Sequence, residues 1–414
     1  MPCRQNFLSF HFTLIKMNTK IPVFKQITKF LDSNIICNLA QDYEINKYNK
    51  GLDFTSHLYT MLFSQIGNIQ SLRDITNILQ STKRKSIFLG IQRVMSKSSL
   101  SNHNANKDWE IFRDIYVQHY YKYSREIRLP RKKLNNIKKK ILLVDSSMIT
   151  LCAALFKWAP YYQAKGAIKL HTFLNYDTFL PELIVIGSGK EPDNHAAINI
   201  AVPYPKNTLI VGDKAYSDTK LLRYWDSFGV TFVVRAKAPK YVRSISVREL
   251  ELPEGTPDSI LIDEVMVFDG QHTPKQYPKE IRRVVVYDSE EDRTFDLWTN
   301  NFTWTAEEIS DIYAARWDIE TFFKAVKQNL NIKSFLGTSP NAVMIQVWTS
   351  MIAMLLLAII KKQSKIGWSF SNLVVLLKML LLNYEDLSDI INRKTGKDPP
   401  GKNTEIWVQS RLSL

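Results

Sequence analysis

Two short apolar runs, Ile141-Leu-Leu-Val144 and Thr208-Leu-Ile-Val-Gly212, each lead straight into an aspartate. An apolar run of four or five residues without polar alternation suits a strand covered on both faces. A helical pattern over 217–228 separates the second run from another apolar strand, Thr231–Val234. Strands covered on both faces and joined by helices require a layered α/β sheet, and side chains at strand ends meet in the crevice beyond those ends. The pattern therefore predicts Asp145 and Asp213 as neighbours closing adjacent strands. An aspartate after a strand is more often a turn or cap residue, so the pair alone does not establish a site.

Around this segment the chain divides by pattern. Residues 1–16 (MPCRQNFLSFHFTLIK) are apolar but too short to span a membrane and lack a cleavage signal; they read as an extension from an upstream start, with Met17 as the natural one. Residues 17–127 read as an all-helical domain, with apolar residues at helical spacing in Phe24–Leu39, Leu58–Ile66, Leu72–Leu79 and Trp109–Tyr121. Ser71 and Ser101-Asn102 are candidate caps or turns. Residues 128–140 form a basic, proline-containing linker, read as both solvated connector and phosphate-contacting strap.

The α/β part runs over 141–340. Lys169–Asn175 and Leu180–Gly187 predict a hairpin around Tyr176-Asp177, and 237–292 predict a β-rich insertion with strands at Ser259–Phe268 and Arg282–Tyr287. Arg293–Asn300 reads as a returning strand, and Thr305-Ala-Glu-Glu308 as a capping box. Residues 341–414 are mostly helical. Their apolar stretch Val343–Ile360 approaches membrane length but carries Gln346, Thr349 and Ser350, and is expected to be a core helix.

Charge narrows the partners. Lys and Arg number 55 against 40 Asp and Glu, a net charge of +15 that favours an anionic partner, nucleic acid before membrane. The three cysteines, Cys3, Cys37 and Cys152, have no paired spacing, which argues against a disulfide framework or zinc site and fits a reducing cytoplasm.

The segment Tyr313-Ala-Ala-Arg316-Trp-Asp-Ile-Glu320-Thr-Phe-Phe-Lys-Ala-Val-Lys327 contains no glycine or proline and reads as one helix. At about 100° per residue, Tyr313, Arg316, Glu320 and Lys327 fall within roughly 60° of one another, beside the apolar face. Taken alone, that stripe is equally a solvated face with an Arg–Glu pair. Together with Asp145 and Asp213, Glu320 completes a trio of hard oxygen donors with cations beside it. Three converging carboxylates repel unless a cation binds between them, and such donors favour Mg²⁺ or Mn²⁺. Two such ions support phosphodiester displacement.

Here the sequence resembles the DDE transposases of bacterial insertion sequences. The Tyr-x2-Arg-x3-Glu-x6-Lys signature stands at 313–327, with supporting matches at Val144-Asp-Ser-Ser147, Gly212-Asp-Lys-Ala-Tyr-Ser-Asp218, Phe232-Val-Val-Arg-Ala-Lys237 and Leu297-Trp-Thr-Asn300. The N-terminal stretches Lys50-Gly-Leu-Asp-Phe, Ser71-Leu-Arg-Asp-Ile75, Leu89-Gly-Ile91 and Ser99-Leu-Ser-Asn102 look like the helical domain that precedes many such cores. The resemblance covers roughly residues 20–365 and departs at Lys214-Ala215, where the family commonly has Arg-Gly.

The resemblance implies a ribonuclease-H-like catalytic domain at 141–340, in which Asp145, Asp213 and Glu320 hold two Mg²⁺ or Mn²⁺ ions. It implies DNA contacts by Tyr313, Arg316 and Lys327, with Arg235 and Lys237 as further candidates leaving a strand near the cleft. It further implies cut-and-paste transposition by a homodimer on double-stranded transposon ends and target, in the bacterial cytoplasm at the nucleoid, with no membrane partner. The alternatives are a catalytically inactive, transposase-derived DNA-binding regulator, which the three acids argue against, and a ribonuclease-H-like nuclease without strand transfer. His195 is more simply a loop histidine, Trp298, Trp304 and Trp317 are more simply packing residues, and Arg73 pairs as readily with Asp74 or Asp42 as with DNA.

Overall fold

The computed structural model describes residues 21–47, 53–131, 134–162, 165–198, 207–237, 243–269, 273–290, 292–330, 332 and 334–393. The 1–16 extension and the Pro-Pro-Gly segment lie outside these, as does the side chain of His195. Seven helices come first: α1 (Val23–Thr28), α2 (Ser33–Asp42), α3 (Phe54–Ile66), α4 (Leu72–Ser81), α5 (Lys83–Ser86), α6 (Lys97–Asn106) and α7 (Glu110–Tyr123). Most start on a side-chain cap. The Ser71 hydroxyl accepts from Asp74 N at 3.0 Å, and Asp53 and Ser96 act likewise for α3 and α6. Ser101 and Asn102, expected as a cap or turn, instead lie inside α6, because Ser96 starts that helix earlier. The run Phe24–Leu39 is divided into α1 and α2, with Asp32 capping the second.

The sheet has ten strands: β1 (Lys140–Cys152), β2 (Pro160–Tyr162), β3 (Lys165–Asn175), β4 (Leu180–Ser188), β5 (Thr208–Gly212), β6 (Thr231–Arg235), β7 (Arg243–Glu249), β8 (Ile260–Asp269), β9 (Ile281–Asp288) and β10 (Arg293–Thr299). Their order is β2-β3-β1-β5-β6-β10-β9-β8-β7, with β4 also paired to β3. β1, β5 and β6 are parallel, while β3, β4 and β7 to β10 pair antiparallel. Successive residues of β1 serve different cores: Ile141 and Leu143 pack with the main helical core, Leu142 and Val144 with Trp225 and Phe232 on the other face. The expected hairpin is present as β3 and β4. The 237–292 segment contributes β7, β8 and β9, which continue the same sheet through β10. Of these, β7 was not expected; it alternates Ile245 and Val247 with Ser244, Ser246 and Arg248, but leaves both faces exposed.

Between strands lie α8 (Asp193–Ile198), α9 (Thr219–Ser227) and α10 (Thr273–Gln276); α11 (Ala306–Ala314), α12 (Trp317–Asn329), α13 (Pro340–Gln363), α14 (Phe370–Leu380) and α15 (Leu387–Asn392) follow the sheet. The Thr305–Glu308 capping box starts α11 as expected. α13 is long and apolar enough to cross a membrane, but its apolar window is 89% buried against other elements, including α3, α6 and α7. It is a core helix. α1 is stitched to the C-terminal region: Val23 N and Phe24 N donate to Asn383 O and Leu381 O, and Gln26 bonds Glu385 O and Leu387 N.

The basic 128–140 segment is less free than its charge suggested. Leu134 and Ile137 are buried, Arg131 donates to both Asp177 oxygens and to the Ile137 and Lys139 carbonyls, and Arg128 shares Asp177. Asp177 in the β3–β4 turn therefore fastens the strap to the sheet.

Candidate active site

Asp145 does not end its strand. β1 runs on to Cys152 because β3 stays paired with it throughout, but its pairing with β5 stops at Val144–Gly212. Asp145 is thus the first β1 residue beyond the end of β5, and the crevice opens where β5 turns away. One carboxylate oxygen accepts from Ser146 N at 2.7 Å. Asp213 leaves β5 and caps the single 3₁₀ turn Lys214–Tyr216, its Oδ1 accepting from Ala215 N at 2.9 Å. It is both strand-end acid and cap. The turn accommodates Ala215 without a left-handed backbone. Gly212 is the tighter position: a Cβ there would lie 3.0 Å from Val144 Cγ1 and 3.1 Å from Tyr216 Cβ.

The expected single helix over 313–327 is two. Arg316 N bonds Tyr313 O, and Asp318 N and Ile319 N bond Ala315 O and Arg316 O. This three-residue bonding turns about 120° per residue in place of 100° and shifts the phase of the stripe. Tyr313, at the end of α11, and Arg316, at the junction, are consequently buried, contrary to their expected place beside the apolar face. Glu320 and Lys327 remain on α12, exposed and half-buried respectively.

Arg316 sits between acids. Its Nη1 donates to Glu320 Oε1 at 2.8 Å and lies 3.9 Å from Asp145 Oδ2, while its guanidinium stacks over Trp317 at 4.7 Å. Burial, assisted by the charges of Asp213 and Glu320, raises the Asp145 carboxyl to about 7; Ser146 N–H and Arg316 oppose that rise. The three acids are thus electrostatically coupled. They are not gathered at liganding spacing: among the described residues no three His, Cys, Asp or Glu side chains form a metal-binding group. The donors nevertheless suit a hard cation, since a carboxyl displaced towards neutrality by burial and by its acidic neighbours is one that a nearby positive charge returns to its anionic form.

The other expected residues divide. Arg235 ends β6 with its guanidinium 4.6 Å from the Phe295 ring centroid, and the same ring meets Tyr313 at 5.6 Å. Burial raises the Tyr313 phenol, while Arg316 and Arg235 pull it down. Arg235 therefore belongs to the neighbourhood of Tyr313. Lys237 lies two residues beyond the strand. Trp298 is buried in β10 and Trp304 half-buried, whereas Trp317 is exposed beneath Arg316. Asn300 is a fastener, accepting from Phe232 N and donating to Val230 O and Asp226. Unforeseen in the sequence is a polar group on the opposite face of β1: Ser146, Lys169, His171 and Asp193. Its only sequence signal is alternation, which places Ser146 and Asp145 on opposite faces.

The Transposase DDE domain model matches residues 136–356, more than half of the 414-residue chain, and therefore contains all three acids. The chain belongs to the DDE transposase-domain family. A second model, described as a domain of unknown function, matches residues 19–92. A Geobacillus stearothermophilus protein named a probable transposase for an insertion sequence element is 30% identical over 57% of this chain. That match spans 62% of the relative's own length. A Sinorhizobium fredii protein also named for a transposase is 28% identical over 60% of this chain and 68% of its own. A Synechocystis protein named for the transposase of an insertion sequence element is 24% identical over 64% of this chain and 71% of its own.

Proposed function

We propose that this protein is an insertion-sequence transposase that binds the terminal inverted repeats of its element, cuts there and joins the freed ends to target DNA. The observation that carries the reading is the placing of Asp145, on β1 just past its pairing with β5, and Asp213, leaving β5, beside Glu320, with Arg316 held between Asp145 and Glu320. In this reading residues 141–340 form a ribonuclease-H-like catalytic domain; the parallel trio β1, β5 and β6 with acids beyond two strand ends supports it.

Asp145, Asp213 and Glu320 would hold divalent ions, Mg²⁺ or Mn²⁺ and two in number. Bound there, such ions supply Lewis-acid stabilisation of charge at the scissile phosphate. The chain's own residues do the rest. Ser146 N–H and Ala215 N–H orient the Asp145 and Asp213 carboxylates. Arg316, paired with Glu320, would present its charge to the phosphate, with Tyr313 and Lys327 flanking it and Arg235 and Lys237 reaching the strand beyond. The phosphorus gains a bond to the incoming water or 3′-hydroxyl oxygen and loses its bond to the departing 3′-oxygen, with inversion expected for each displacement.

The helical region 17–127 and the strap 128–140 would engage the inverted repeats, the net charge of +15 supplying salt-dependent phosphate affinity. Joining two ends requires two active sites in one assembly, hence a homodimer on DNA, working at the bacterial nucleoid. The test is strand cleavage of the element's ends in Mg²⁺ by wild type, Asp213→Ala and Glu320→Gln. Loss of cleavage in both variants is expected; equal activity in all three proteins would sink the proposal.

A further inference from the structure

Behind the two strand-end acids, on the other face of β1, lies a buried polar cluster. His171 stands directly across from Ser146 in the β1–β3 register, and Lys169 lies two residues earlier on the same face of β3. Asp193, the first residue of α8, lies 3.3 Å from both Lys169 Nζ and His171 Nδ1, on the face of the β1–β3 pair that also carries Ser146. Lys169 also donates to Glu191 O at 2.9 Å, immediately before α8. These contacts hold the Asp193 carboxyl at about 2 against the opposing effect of burial. His171 is 1% exposed, and among the described residues its Nε2 has no hydrogen-bond partner.

Such a cluster is a poor source of net stability, because desolvating the charges offsets most of their attraction. What it fixes is position. Asp193 holds α8 to β3 at the residue paired with Ser146, next to Asp145, and the body of α8 packs against the turn Lys214–Tyr216 that Asp213 caps. One short helix therefore touches the supports of both acids.

We propose that Asp193, fastened by Lys169 and His171, is a positioning residue that sets the separation of Asp145 and Asp213 and so their readiness to bind a divalent cation. This rests on the reading of those acids as cation ligands. Without the Asp193 anchor, α8 no longer ties the β1–β3 pair to the Asp213 turn, and the two carboxylates must be gathered at the expense of cation affinity.

The test uses the full chain with wild type, Asp193→Asn, Asp193→Ala and His171→Gln, and Asp213→Ala as reference. Mn²⁺ binding is followed by electron paramagnetic resonance, Mg²⁺ affinity by the cation-dependent rise in melting temperature, and DNA-end cleavage against Mg²⁺ concentration. The Asp193 variants are expected to weaken Mn²⁺ and Mg²⁺ binding by about 10-fold, the size typical of lost outer-shell support, with cleavage recovering at high Mg²⁺. His171→Gln, which keeps the Lys169–Asp193 pair, is expected to move the same way by about 3-fold and decides the matter if the Asp193 variants do not fold. Unchanged cation affinity in a folded variant, whatever its melting temperature, would overturn the proposal. If wild type binds Mn²⁺ no better than Asp213→Ala, it is the cation-ligand reading itself that fails.

Discussion

Asp145 should destabilise the protein that contains it. In the unfolded chain its carboxyl ionises near the ordinary value of 3.8, whereas burial and the neighbouring Asp213 and Glu320 charges raise it to about 7 in the fold. Between those two values the folded state binds a proton that the unfolded state has lost, so stability falls as pH rises across that interval and levels off above pH 7. At about 1.4 kcal/mol per pH unit, the interval corresponds to about 4 kcal/mol. Asp145→Asn keeps the shape and removes the titration. Without divalent cations the variant should gain about 2 kcal/mol over wild type at pH 5 and about 4 kcal/mol at pH 8. For a region of this size that is on the order of 10 °C in melting temperature at the higher pH. Differential scanning calorimetry in EDTA at the two pH values measures the gap. Mg²⁺ added at pH 8 should then raise the melting temperature of wild type and leave the variant unmoved. A gap of equal size at pH 5 and pH 8 would refute the reasoning, because a packing effect has no reason to follow the ionisation of one carboxyl.

Two further perturbations probe the frame around the site. Arg131→Ala removes the bidentate partner of the buried Asp177 and should cost about 3 kcal/mol in urea unfolding; adding Asp177→Asn should recover part of it, and an additive loss would contradict the clasp. In the helical region, burial lowers the His57 imidazole from 6.5 to about 4. The unfolded chain takes up a proton below pH 6.5 that the fold refuses, so stability drops by about 3 kcal/mol as pH falls from 6.5 to 4. His57→Gln should flatten that part of the pH–stability curve, and an unaltered slope would show that other groups produce it.

Legibility followed the range over which each interaction acts. Apolar runs at 141–144 and 208–212, the caps Ser71 and Thr305 and the β3–β4 hairpin declare themselves within a few residues, and they stand where the pattern put them. The continuation of β1 past Asp145 depends on β3, whose partners lie some tens of residues away, and its sequence Ser146-Ser-Met-Ile-Thr gives no strand signal alone. The break before α12 is set by a local change from four-residue to three-residue bonding, which neither glycine nor proline announces. That small change moved Arg316 from a presumed surface stripe into the protein, between two carboxylates. The Asp193 cluster was hidden for a different reason: its members come from three segments, and only the strand register makes them neighbours.

The stitching of α1 to the far end of the chain has a temporal consequence. Gln26 bonds partners 359 and 361 residues later, and Val23 and Phe24 donate to carbonyls almost as distant. A six-residue helix does not persist unaided. At about 5–20 residues per second, the ribosome leaves α1 without those partners for about 20–70 s. α1 is therefore made long before the partners that complete it. A translation product broken off before Leu381 therefore carries every helix from α1 to α7 and still lacks the clasp that completes them.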